Sequence, residues 1–204
     1  QEKELKAIKK LKELMKFDLI VDDSIDKYGK CWEKPNAEIP QRNHLLCQIA
    51  ANYGADKIWL ILQRGENTNE SNDRSEVFCK RTSETLTQLC NRKIVVNSPF
   101  WNMTKCQMVK WFMERVGNED ILFNTFSCFD GRYKDKVYQC GRCSACFRKA
   151  VSFQFNNIPL YGYKRDIRKW EGIKEYIGKM KKGMYDTQRT EETFTVLRKW
   201  RYEI

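Results

Sequence analysis

Up to about residue 116 the chain alternates two hydrophobic periods, and that alternation limits the possible folds more than any other feature. Leu5, Ile8, Leu11 and Met15 recur at steps of three and four, as on one face of a helix. Residues 17–21 read as a short strand, and a polar, aromatic-containing loop runs over 22–40. Residues 43–53 form a second helical pattern, with Leu45, Leu46, Ile49, Ala50 and Tyr53 on one side and Gly54 placed to end it. The continuous apolar run 57–62 predicts a strand buried on both faces. After a polar loop over 63–72 come a helix over 75–89, a strand over 93–97 and a turn containing Pro99. A helix over 105–116 then carries Met108, Val109, Phe112, Met113 and Val116 at helical spacing. Helix and strand in strict alternation predict an α/β core, a parallel sheet with helices on both faces. Beyond Gly117 the pattern breaks, and two further helical segments are expected over 166–182 and 190–200.

At 204 residues the chain is long enough for one domain with an appendage, and it needs no disulfides to hold a core. Its longest apolar runs, 58–62 and 94–96, fall far short of the ~20 residues that cross a bilayer. The alternating Lys and Glu of 1–14 lack the apolar stretch of a signal peptide. No membrane partner is expected. The chain opens on Gln1, inside a helix with no preceding turn or cap, so an internal boundary with sequence upstream is expected. Five of the nine cysteines (Cys31, Cys47, Cys79, Cys90, Cys106) are scattered singly, the usage of a reducing compartment, and the expected location is cytoplasmic.

The other four cysteines cluster. Cys140, Cys143 and Cys146 form Cys-x-x-Cys-x-x-Cys, and Cys128 stands twelve residues earlier across a loop containing Gly131, with Gly141 inside the triplet. Thiolates two residues apart turn onto one cation when the backbone between them bends tightly, and a fourth closes a tetrahedron at Zn–S ~2.3 Å. Four sulfurs leave no open coordination position, so a structural Zn2+ is expected, one that locks a loop and does no chemistry. Free thiols opening a helix are the bland alternative. An iron–sulfur cluster would call for a further Cys and Pro after Cys146, where Lys149, Ala150 and Val151 stand. The expected division is therefore a partial α/β core over 1–117, a zinc region over 118–160 and a basic helical extension over 161–204.

These residues resemble the 7-cyano-7-deazaguanine synthases of the queuosine pathway, members of the PP-loop ATP pyrophosphatases. The match is carried by Thr125-Phe126-Ser127-Cys128 and by the run from Cys140 to Ala150, with Phe153 and Pro159 following. Pro40-Gln41-Arg42-Asn43 is similar to the family's Pro-Gly-Arg-Asn segment, with Gln41 in place of Gly. Pro99 and Thr104-Lys105 resemble its Pro, then Thr-Lys, ahead of a helix. The family's Ser-Gly-Gly-x-Asp-Ser phosphate loop is not among these residues. No two of the ten glycines are adjacent, and a phosphate cradle needs successive inward N–H groups that bulky residues seldom allow. The resemblance implies a Rossmann-like, adenine nucleotide alpha hydrolase-like fold. It also implies a ligase that joins 7-carboxy-7-deazaguanine and ammonia, with ATP and Mg2+ as co-substrate, to give 7-cyano-7-deazaguanine, and this stretch alone is expected to be inactive.

Within that reading Arg42 and Asn43 are candidates to hold nucleotide or base, Lys105 to meet phosphate, and Asp73 to belong to a substrate loop. A helix cap explains Asn43 or Asp73 equally well, and no catalytic residue is assigned. His44, the only histidine, has no partner set for a nucleophilic triad and reads as structural. Trp170, Ile173, Ile177, Met180 and Met184 form an apolar stripe suited to packing or to a dimer surface, and a homodimer is expected. The positive tail reads as a solvated helical face, so nucleic acid is not expected as a partner. Two alternatives of other kinds stand beside the ligase: a non-catalytic zinc-containing module that binds RNA or protein, and a related PP-loop protein that modifies tRNA or conjugates a deazaguanine to a macromolecule.

Overall fold

A computed structural model describes residues 2–34, 39–64, 73–130 and 139–204. Gly131 and most of the expected loop over 63–72 lie outside the described residues. In chain order the elements are α1 (Glu2–Met15), α2 (Asp26–Trp32), α3 (Arg42–Asn52), β1 (Lys57–Trp59), α4 (Glu76–Cys90), β2 (Val95–Asn97), α5 (Lys105–Arg115), α6 (Glu119–Asn124) and α7 (Ser144–Phe155). A 3-10 turn (Ile167–Lys169), α8 (Gly172–Lys181) and α9 (Thr187–Lys199) follow. No described helix is long and apolar enough to cross a membrane.

The chain divides into two compact units: Ile20–Asn102, and a second made of Gln1–Leu19 with Met103–Ile204. These units cut across the division expected at 117 and 160. The reason is that α5, expected in the sheet core, packs on α7 of the cysteine region.

The continuous unit holds an α/β core. β1 and β2 are parallel in the register Lys57↔Val95, Ile58↔Val96, Trp59↔Asn97. The parallel sheet is as expected; among the described residues of the unit, helices on both of its faces are not found. Ile58 and Val96 are buried with Cys47, Ala51, Cys79, Leu86 and Ile94, against α3 and α4. Trp59 on the opposite face is 66% exposed, and Ile61 is also exposed. Strand side chains point alternately to the two faces, so an apolar run such as 57–62 is buried on both only where both are covered. The strand expected over 17–21 is also corrected: those residues are neither helix nor strand. β-branched residues do not make a strand without a neighbour to pair with, and among the described residues β1 and β2 pair only with each other.

Side chains of α4 fasten the sheet. Ser83 Oγ accepts from Val96 N–H at 2.8 Å, and Thr87 Oγ1 accepts from Ile94 N–H at 3.0 Å. Gly54 ends α3 at φ +90°, its N–H donating to the Ala51 carbonyl at 2.9 Å.

The discontinuous unit is organised around α7. Ala145, Cys146, Phe147, Lys149, Ala150, Val151, Ser152 and Phe153 are all buried, and α5 and α9 pack against this helix. Phe147 meets the rings of Trp170, Tyr176 and Trp200 at centroid distances of 5.6, 5.2 and 6.2 Å. Ile173, Ile177 and Met180 of the expected stripe are buried in this core, whereas Met184 is exposed. The stripe is packing.

Candidate functional site

The cysteine centre is assembled from three local structures. Cys128 follows α6, Cys140 and Cys143 lie on a bend, and Cys146 is in the first turn of α7. Cys143 is the N-cap of α7, its sulfur accepting from Cys146 N–H at 3.5 Å. The bend requires Gly141: its φ is +71°, and a Cβ there would come within 2.0 Å of the Arg165 carbonyl oxygen. All four Sγ atoms lie within 4.8 Å of one another, and Cys140 and Cys146 are 3.8 Å apart. A tetrahedron with Zn–S of about 2.3 Å has an edge of about 3.8 Å.

Backbone donors already surround the sulfurs. Asp130 N–H donates to Cys128 Sγ at 3.2 Å, Cys140 N–H to the same sulfur at 3.4 Å, and Arg142 N–H to Cys140 Sγ at 3.3 Å. Such bonds stabilise thiolate charge. A hydrogen bond from Cys146 holds the Cys143 thiol far down, near 4. Burial pushes the Cys140 thiol up to about 12, and the hydrogen bond to Cys143, together with burial, pushes Cys146 up as well. Left to themselves the sulfurs share little negative charge; a divalent cation is what lets four thiolates coexist at this spacing. Soft sulfur donors in a closed tetrahedral set fit zinc, bound for structure.

The surrounding shell is supplied in part by chain beyond α7. Gln139 and Tyr163 form a parallel bridge, with Gln139 N–H donating to the Gly162 carbonyl at 2.7 Å and Lys164 N–H to the Gln139 carbonyl at 2.8 Å. Tyr163 hydroxyl donates to the Cys146 carbonyl at 3.4 Å, and Arg142 pairs with Asp130 at 2.8 Å. Lys149 is buried at 4% exposure, its ammonium donating to the Thr125 carbonyl and standing 5.3 Å from the Phe153 ring centroid. Burial lowers its pKa to about 8. Neither Lys149 nor Gln139 stands out in the sequence as a site residue; an ionisable residue three places after the last cysteine, on the inward face of a helix, is the available signal.

The four candidate substrate residues fall into two groups. Arg42, Asn43 and Asp73 belong to the continuous unit, and Lys105 to the other. Neither Asn43 nor Asp73 is a cap. Gln41 is the N-cap of α3, in the left-handed region at φ +58°, and Ser75 caps α4, its hydroxyl accepting from Phe78 N–H at 3.0 Å. Asn43 is buried and donates through Nδ2 to the Asp73 carbonyl at 3.0 Å, so the structure joins these two residues. The left-handed Gln41 explains why a glycine suits that position. Arg42 is exposed at the first turn of α3. His44 lies edge-on to Phe78, within 3.2 Å of Gln48 Nε2. Lys105 opens α5 behind a complete capping box between Thr104 and Gln107.

Fold and site together define a small α/β protein with a buried cluster of four cysteines spaced to hold one metal ion. The model of the family described as queuosine biosynthesis protein QueC matches residues 2–157, and the chain belongs to that family. Curated relatives carry the name 7-cyano-7-deazaguanine synthase. One from Rickettsia africae is 27% identical over 155 residues, covering 68% of this chain and 65% of its own length. One from Methanosphaera stadtmanae is 28% identical over 144 residues, covering 69% and 61%, and one from Methanococcus aeolicus is 26% identical over 137 residues, covering 65% and 57%. The chain thus spans 57 to 65% of the length of these relatives.

Proposed function

We propose that the native protein is an ATP-dependent carbon–nitrogen ligase that makes 7-cyano-7-deazaguanine from 7-carboxy-7-deazaguanine and ammonia. The observation that carries this reading is the family match over residues 2–157, which encloses the four-sulfur centre. A carboxylate oxygen of the substrate attacks the α-phosphorus of ATP, taken up as its magnesium complex, and pyrophosphate leaves. Ammonia adds to the acyl carbon, AMP departs, and a proton is lost to give the primary amide. The amide oxygen attacks a second ATP, pyrophosphate leaves again, and departure of AMP with that oxygen, together with the loss of both N–H protons, leaves the nitrile.

Such steps need placement of reactants and neutralisation of phosphate charge more than acid–base groups. In this reading Arg42 of the continuous unit is a cation for that neutralisation, with Asn43 and Asp73 for the base, and Lys105 of the other unit is a cation for phosphate in its own right. Bound zinc would hold the knuckle of Cys128, Cys140, Cys143 and Cys146 in shape and take no part in bond making. All nine cysteines are unpaired, in keeping with a cytoplasmic setting.

The test is AMP release by the native protein given ATP, ammonia and 7-carboxy-7-deazaguanine, with the nitrile followed by mass. AMP that depends on the acid supports the ligase; AMP that appears only with tRNA or another macromolecular acceptor replaces it with a conjugating enzyme. The 204 residues by themselves should form no AMP, since they offer no glycine-rich cradle.

A further inference from the structure

Residues after 157 lie outside the family match, yet α9 is built into the start of α5. Glu192 on the inward side of α9 is 5% exposed, and its Oε1 accepts the Thr104 hydroxyl proton at 2.7 Å. Thr104 is itself fully buried and caps α5. Cys106, two residues on, stands beside the same carboxylate, whose charge raises its pKa after burial has done so. Asn156, just past α7, donates to the Cys106 carbonyl at 2.9 Å. The first turn of α5 is therefore gripped from two sides, and Lys105 stands between the two residues that Glu192 holds.

A buried carboxylate is costly unless donors and cations compensate it. Here the compensation is the Thr104 hydroxyl, the Cys106 thiol and the cations Lys105 and Arg189, both close enough to act on Cys106. Arg189 is itself fixed 4.5 Å over the Tyr185 ring. Packing alone does not ask for an acid: Val196 and Leu197 on the same inward face are fully buried, and a leucine at 192 would fill the space without desolvating charge. What an acid adds is direction.

We propose that Glu192 is a positioning residue, through which the C-terminal extension fixes Thr104 and Cys106 and so sets the aim of Lys105 at an anionic group of the substrate. The proposal rests on the reading of Lys105 given above, and it makes the extension a working part of the enzyme.

The experiment compares wild-type native protein with Glu192→Gln, which keeps an acceptor oxygen of the same shape, Glu192→Asp, which withdraws it, and Glu192→Leu, which removes it. In AMP release, Glu192→Leu should raise KM for ATP about tenfold with kcat changed less than about threefold, as expected for loss of a uniform binding contact, and Glu192→Gln should stay within about threefold of wild type. Should Glu192→Leu not fold, Glu192→Asp carries the comparison, with a rise in KM of about threefold or more. Neutralising Lys179, Lys181 and Lys182 together serves as the control and should match wild type. Lowered thermal stability with an unchanged KM would reduce Glu192 to a structural contact and overturn the proposal.

Hydrogen exchange separates this outcome from failure of the ligase reading. Wild-type protein that forms no AMP sinks that reading, and Glu192 is then judged by the amides of residues 105–108. These should exchange about tenfold faster in Glu192→Leu while those of α4 stay unchanged. Equal rates at 105–108 overturn the proposal whatever the activity.

Discussion

The four-sulfur knuckle and the two-stranded sheet are held together in opposite ways. In the knuckle, four side chains within 4.8 Å determine the geometry, and one glycine decides whether the chain can pass at all. In the sheet, stability is divided among many small contacts. Ile58 and Val96 lie among residues of α3 and α4, and two hydroxyls tie Ile94 and Val96 to α4. The lesson is that ligation concentrates stability in a few positions and packing spreads it, so the two regions should respond differently to single substitutions.

The largest effect is expected at the knuckle. Cys143→Ser should abolish zinc binding and unfold the surrounding unit, because structural zinc supplies about 10 kcal/mol or more of folding free energy. Metal content and thermal unfolding check this, and wild-type zinc content in the variant would remove the assignment. The sheet should answer by face. Ile58→Ala should cost about 2 to 5 kcal/mol as a buried truncation, whereas Trp59→Ala should stay within about 0.5 kcal/mol as an exposed one. Equal losses in urea unfolding would mean that the outer face is covered in solution.

Lys149 probes the border of the knuckle through pH. Its folded pKa of about 8 lies below the ordinary lysine value of 10.5, so between those values the unfolded chain binds more protons and stability rises with pH. The rise should reach about 3 kcal/mol, since every tenfold loss of proton affinity on folding corresponds to about 1.4 kcal/mol. Lys149→Met should abolish that rise while the remaining pH dependence persists. A rise of the same size in the variant would locate the titration elsewhere. A gain rather than a loss is expected at α3, where Gln41→Gly relieves a left-handed residue and should add about 0.5 to 1 kcal/mol in thermal unfolding.

Sequence patterns are most informative where one residue type carries one signal. The spacing of Cys128, Cys140, Cys143 and Cys146 predicts their convergence, and the helical periods predict α1, α3, α4 and α5 to within a residue or two. They mislead where the outcome depends on what lies opposite. The run 57–62 is apolar whether or not a second layer covers it, and residues 17–21 have strand composition but no partner strand. The short helices α2 and α6 span too few residues to establish a period. Asn43 and Asp73 resemble caps because the local code cannot reveal that Asn43 reaches thirty residues along the chain to the Asp73 carbonyl. Glu192 leaves only a faint trace, an acid on the same side of α9 as Val196 and Leu197.

One unit is made of Gln1–Leu19 and Met103–Ile204, with the other unit inserted between them. This interruption orders events at the ribosome. α1 is synthesised well before α6, on which it packs, because the whole of Ile20–Asn102 lies between them in the chain. At about 5 to 20 residues per second, the delay is on the order of 5 to 20 s. Throughout that interval α1, whose 14 residues are a length marginal in water for a helix by itself, lacks its contact with α6. The inserted unit is contiguous and free to fold as it emerges, so the nascent chain carries one finished body while α1 still waits for α6.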